Sequence, residues 1–363
     1  MAIAIRQAVV SIALLVQLKE VPAMAELEQR SFRRRLQRAG SVSIQVMLSV
    51  FLIVALIAFA LVVYFAVMPP LFCRLAISGP LEPGSSFRSV QVGARTRCYQ
   101  LHVPPTYQEQ SQVPLIISLH GFASAPQEQH YFDRWDMVAR DTGALVAYPQ
   151  GSSAPLRWNT GPEMRIEATD DIAFIAAVID QLTAEAKIDP ERIYVTGFAN
   201  GGEMAHQVGC ALADRIAAFG VVGGLGTDPP DGCTPSRPLP VIAFSGTDDP
   251  LTARLDTSPW IRDVVLDVST EPGETEQVNP QAWIRAWAQR NGCVLEPTTV
   301  QVRSDVDATI YTNCRGNAAV ELYEIKDGGH GWPGGPSISI LTRTTDAVDA
   351  TALMFEFFQA DAR

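Results

Sequence analysis

Between Pro114 and Phe358 the chain alternates short apolar runs with helix-length segments, and four of those runs end at a glycine. They are PLIISLHG (114–121), GALVAYPQG (143–151), RIYVTG (192–197) and PVIAFSG (240–246). Runs of this length, rich in Val and Ile and lacking polar alternation, suit parallel strands buried on both faces. Between them, 170–188 has the apolar spacing of an amphipathic helix with acidic residues at its start, where the helix dipole favours them. Further helices are expected at 201–216 and 280–292, and an antiparallel hairpin at the sheet edge over 89–104. The alternation predicts an α/β fold, a mostly parallel sheet with crossover helices. Ligands of such sheets bind outside the carboxyl ends of the strands, so the chemistry is expected at the glycine-bearing turns.

With 363 residues, 47% of them hydrophobic and 18% charged, the chain has material for one large core or two ordinary ones. A net charge of −11 argues against a nucleic-acid partner, which needs clustered Lys and Arg. Basic charge is local: QRSFRRRLQR (29–38) carries five arginines just ahead of the apolar stretch 42–68. That stretch exceeds the about 20 residues a helix needs to cross a bilayer, and Gln45 is its only strongly polar side chain. The expected organisation is a basic cytoplasmic segment (1–41), a transmembrane signal anchor (42–68), a linker (69–88) and a catalytic body (89–363). Positive-inside bias places the arginines in the cytoplasm and the body outside the inner membrane, periplasmic or extracellular. No small-x-small cleavage pattern follows the span. The shorter apolar patch at 4–18 precedes Met24, a second possible start, and residues 1–23 are left without a reading.

Six cysteines fit export to an oxidising compartment. Short loops favour Cys210 with Cys233 and Cys293 with Cys314, each contributing about 3 kcal/mol in the chain-entropy description, which leaves Cys73 with Cys98. No paired CxxC pattern suggests a metal, and nothing suggests an organic cofactor.

The turns carry His120, Gly121 and Phe122; then Gly197 to Gly201; then Gly246, Thr247, Asp248 and Asp249; and finally His330 in the loop KDGGHGWPGG (326–335). From about Ser89 to Phe358 the chain resembles the α/β-hydrolase esterases of the polyhydroxybutyrate depolymerase-like group, with feruloyl and acetylxylan esterases as relatives. The resemblance rests on LHG (119–121), YPQG (148–151), WN (158–159), TGFANGG (196–202), GTDDP (246–250), NGC (291–293) and GGHGWPGG (328–335), in that order. It implies the α/β-hydrolase fold and a Ser-His-Asp mechanism on ester substrates. Residue by residue, it implies His330 as general base, Asp249 as the carboxylate that orients it, and the N–H groups of Phe122 and Asn200 as the oxyanion hole. Asp248 competes for the acid role; the spacing Gly-Thr-x-Asp favours Asp249. His120 is read as a structural residue holding the oxyanion loop.

Three departures stand out. Ala199 occupies the nucleophile position of G-x-S-x-G, and a methyl group cannot attack a carbonyl. Losing a triad serine costs about a millionfold in turnover. Ser245 stands where relatives often have histidine, and LTARLD (251–256) replaces a more apolar continuation. Two readings fit Ala199: an ester hydrolase whose serine has been exchanged, which the intact Asp249 and His330 favour, or a pseudoenzyme, a membrane-tethered binding protein on a hydrolase scaffold. Trp158, Trp332 and Phe122 are expected to wall a pocket for acyl or hydroxycinnamoyl groups, and Trp260 is read as core or lid. The segment 257–280 is read as a lid or insertion. The absence of a polymer-binding segment after the body favours soluble esters or oligoesters over solid polyester.

Overall fold

The computed structural model describes residues 46–60, 63, 68–153, 155–161, 170–249, 278–337 and 344–361. The chain divides into two compact units, Met1–Tyr64 and Phe65–Arg363. In the first, residues 46–60 form a helix, α1, with Met47, Phe51 and Phe59 exposed. Among the described residues no helix is long and apolar enough to cross a membrane. The expected span 42–68 is only partly described: residues 42–45, 61–62 and 64–67 lie outside the described residues.

The second unit is built on a ten-stranded sheet in the order β1-β2-β4-β3-β5-β6-β7-β10-β9-β8. The hairpin β1 (Gly84–Val92) and β2 (Arg95–Val103) forms one edge, as the sequence predicts, and β2 runs antiparallel to β4 (Leu145–Pro149). The centre is parallel: β4, β3 (Val113–Leu119), β5 (Ile188–Phe198), β6 (Ala218–Val222), β7 (Val241–Gly246) and β10 (Val320–Ile325). The other edge is the antiparallel pair β9 (Val306–Tyr311) and β8 (Thr298–Arg303). The four predicted apolar runs are β3, β4, β5 and β7.

Alternate side chains of the central strands face two separate cores. Leu115, Ile117 and Leu119 of β3 join Ile193 and Val195 of β5 on one face, under α5 (Asp171–Glu185), α6 (Asn200–Ala211) and α7 (Pro280–Arg290). Ile116 and Tyr194 enter the opposite core, under α4 (Trp135–Thr142) and α8 (Ala350–Asp361). Continuous apolar strands are therefore what the sheet demands, because both faces are covered. Helix starts are capped in sequence: Asp170 accepts from Ala173 N–H at 2.8 Å, and Asn279 from Ala282 N–H at 3.0 Å.

Disulfides join Cys73 to Cys98, Cys210 to Cys233 and Cys293 to Cys314, the pairing the loop lengths favour. The stretch 69–88, expected to be a linker, instead carries most of α2 (Met68–Arg74) and opens β1 at Gly84. Cys73 of α2 is bonded to Cys98 of β2, so this stretch is fastened to the sheet. The helix α3 (Pro126–Asp133), which follows β3, was not foreseen. Of the expected lid at 257–280, residues 257–277 lie outside the described residues, Trp260 among them.

Candidate active site

The turn from β5 into α6 is as tight as its glycines imply. A Cβ on Gly197 would collide with the carbonyl of Gly201, and one on Gly201 with the carbonyls of Leu119 and His120. Between them Ala199 takes φ 50° and ψ −124°, a left-handed backbone that side chains other than glycine avoid. Its N–H donates to Val222 O at 2.9 Å, and its carbonyl accepts from Gly202 N–H at 2.8 Å. The strand and helix thus present residue 199 at the carboxyl end of the sheet, with a methyl group at the tip.

Strand order explains why Asp249 and His330 meet. β7 and β10 are parallel neighbours, with Gly246 opposite Ile325, so the loops leaving them run side by side. The N–H of Asp248 donates to Gly328 O at 2.9 Å and fastens one loop to the other. His330 Nδ1 lies 2.7 Å from Asp249 Oδ2. Both are buried, at 8% and 1% exposure, whereas Asp248 is exposed, so of the two candidate acids it is Asp249 that meets His330. A carboxylate only accepts, so Nδ1 carries the proton of the neutral ring and Nε2 keeps the lone pair. The imidazole rests 4.8 Å from the ring of Phe198, the residue before Ala199.

The loop expected to carry the oxyanion hole follows β3. A Cβ on Gly121 would stand 3.3 Å from the Cβ of Ala199, which sets the backbone before Phe122 against the elbow. Among the described residues the N–H groups of Phe122 and Asn200 donate to no backbone carbonyl. The Asn200 side chain is fully engaged elsewhere. Its Oδ1 accepts from Trp158 N–H at 2.7 Å, and its Nδ2 donates to Thr160 Oγ1 at 2.8 Å and Glu203 Oε2 at 3.0 Å.

His120 has the structural role expected of it. Gly151 N–H donates to its Nε2 at 2.9 Å, so Nδ1 carries the hydrogen and donates to Gly121 O at 2.8 Å. Complete burial pushes its pKa down to about 4, which keeps it neutral.

Trp158 and Trp332, expected to wall a pocket, are both buried. Trp158 has no exposure and donates Nε1–H to His120 O at 2.8 Å, bracing the loop after β3. Trp332 is 3% exposed, donates to Thr351 Oγ1 at 2.9 Å and packs edge-on to Phe198. Their indole faces are consumed by packing, which composition cannot reveal. Among the described residues, Ser124 donates to Glu128 Oε2 at 2.8 Å, and Thr196 is buried 3.3 Å from Met354 Sδ, so neither hydroxyl stands in for a serine at residue 199. A cleft of about 710 Å³ lined by His130, Tyr131, Arg134 and Gly334 includes none of Ala199, Asp249 and His330.

Two polar clusters escaped the sequence reading. Arg97 and Asp171 pair at 2.9 Å in the interior, and Asp171 Oδ2 also accepts Asn159 N–H at 2.8 Å, pinning the WN stretch. Asp133 is buried without a cation, and desolvation raises its pKa to about 7 against hydrogen bonds from Ser118, Gln129 and Tyr148. Acidic residues at a helix start gave the only hint of Asp171; nothing in the pattern marked Asp133.

One group of metal-ligand side chains occurs among the described residues: His206, Cys210 and Cys233. It does not suit a metal. The two sulfurs are joined, and the Trp287 indole N–H donates to His206 Nδ1 at 3.1 Å. That places the histidine hydrogen on Nε2, which donates to Asp228 Oδ1 at 3.2 Å and has no lone pair to offer.

Residues 97–230 match the family described as esterase PHB depolymerase. The chain is 31% identical over 238 residues to feruloyl esterase B of Piromyces equi, covering 62% of this chain and 41% of that protein's length. It is 29% identical over 256 residues to a putative esterase of Nocardia uniformis subsp. tsuyamanensis, covering 68% and 74%. Among solved structures, an acetyl xylan esterase from Aspergillus awamori superposes with a TM-score of 0.54 at 12% identity, over 76% of this chain and 99% of that one, a likeness of fold.

Proposed function

We propose, on the match of residues 97–230 to the PHB depolymerase family of esterases, that the chain is a membrane-anchored carboxylic-ester hydrolase body built for Ser-His-Asp chemistry but halted at Ala199. The observation that carries the proposal is the 2.7 Å contact of His330 with Asp249 beside the strained turn at residue 199. In the proposed roles His330 Nε2 is the general base, Asp249 holds its tautomer, and the amides of Phe122 and Asn200 receive the oxyanion. With a methyl at residue 199, no acyl-enzyme forms there.

Ala199→Ser tests the reading with a short p-nitrophenyl ester. Turnover should rise by up to about a millionfold, the usual cost of a missing triad serine. Activity no greater than that of an Ala199→Ser, His330→Ala control would remove the assignment.

Soluble esters or oligoesters are the proposed substrates; the names of the relatives, feruloyl and acetyl xylan esterases, support an ester of a small or aromatic acid. The anchor at 42–68, with the body outside the cytoplasm, is supported by the five arginines before it and the three disulfides after it. Ala199 itself favours a second reading, a binding protein. In that case an ester ligand is held without turnover and the serine substitution gains nothing.

A further inference from the structure

We infer that the Asp249–His330 pair, lacking a hydroxyl at residue 199, hydrolyses small activated esters by delivering water directly to the ester carbonyl. This rests on the ester-hydrolase reading and adds to it an activity for the chain with alanine at residue 199.

The pair is assembled without help from a serine. His330 is fixed by Asp249 at 2.7 Å and by the ring of Phe198 at 4.8 Å. A Cβ on Gly223 would touch the imidazole at 3.3 Å, so backbone closes that side. Two residues on, Trp332 anchors the loop to Thr351 at 2.9 Å. An imidazole held in one tautomer, with its other nitrogen carrying a lone pair, is a general base whatever donor stands before it. Among the described residues, Ser124 donates to Glu128, Thr196 lies inside the core against Met354, and Thr247 accepts Asp327 N–H at 2.9 Å. The nucleophile in this inference is water.

The step balances as follows. His330 Nε2 takes a proton from water while the water oxygen bonds to the carbonyl carbon, and the π pair moves to the carbonyl oxygen, facing the amides of Phe122 and Asn200. Collapse breaks the bond to the alcohol oxygen, which leaves with the proton from Nε2. Ester and water become acid and alcohol, and no bond to the protein forms. Geometry also sets the substrate class. A water resting on Ala199 Cβ stands roughly 3.5 Å from it, where a serine oxygen would be bonded. The carbonyl is therefore held farther from the two amides, and only esters with small acyl groups and good leaving groups react.

The test uses the full-length protein in detergent with p-nitrophenyl acetate. The expected result is steady turnover with no burst and no acetylated protein by mass spectrometry, lowered about 100-fold in both His330→Ala and Asp249→Asn. Thermal melting of each variant checks folding, and Asp249→Asn serves if His330→Ala does not fold. A rate unchanged by these substitutions overturns the inference, as does a burst or a mass increase of an acetyl group, or no turnover above the variants. Ala199→Ser, measured alongside, separates the two levels. If it gains activity while the alanine form shows none, direct water attack fails and the hydrolase reading stands; if neither turns over, both fall.

Discussion

At Ala199 the backbone pays for its position, because a non-glycine residue at φ 50° and ψ −124° stores on the order of 1–3 kcal/mol. The neighbouring glycines cannot absorb that strain, since each is already committed to a close backbone approach. Ala199→Gly should therefore raise stability by about 1 kcal/mol, less than the full strain because glycine loses more entropy on folding. Urea unfolding measures this; a loss of stability would show that the Ala199 methyl contributes packing that outweighs the strain. The positions proposed as catalytic stand out in the sequence because each occupies a glycine-rich turn after a strand. The engagement of Asn200 with Trp158 and Thr160 was not, because those contacts join residues about 40 apart in the chain.

Among the elements, α3 is stitched to β3 and β4 through one carboxyl group. Asp133 accepts from Ser118 of β3 at 2.5 Å and from Tyr148 of β4 at 3.2 Å, and its own carbonyl accepts from Thr351 of α8. Burial raises its pKa from 3.8 to about 7, so the folded chain keeps a proton that the unfolded chain releases. The contribution of Asp133 is full below pH 3.8 and is lost as pH rises through about 7. Its slope across that window is up to about 1.4 kcal/mol per pH unit. Asp133→Asn should flatten the decline in denaturant stability between pH 5 and pH 7; an unchanged slope would assign the pH dependence to other groups. Elements with long apolar runs, β3 and β7, were legible from pattern alone. β6 was not: its five residues, AFGVV, are too short to show a period. α3 has few apolar residues to form a stripe, and α8 is apolar on most sides, so neither shows the amphipathic spacing of α5.

For the molecule as a whole, the sequence predicts four segments, a basic stretch (1–41), an anchor (42–68), a linker (69–88) and a catalytic body (89–363), whereas the structure divides into two compact units at residues 64 and 65. If residues 42–68 span a bilayer, the full-length protein should remain in the membrane pellet after alkaline carbonate washing. Release into the supernatant would end the anchor proposal. The Cys73–Cys98 bond gives such an attachment a mechanical character. A pull along the N-terminal segment passes from Cys73 straight into β2, bypassing the intervening sequence, a separation of 25 positions. Reduction would insert roughly 80–90 Å of slack once that stretch is drawn out, and the same tension would then peel β1 from the sheet edge before reaching β2.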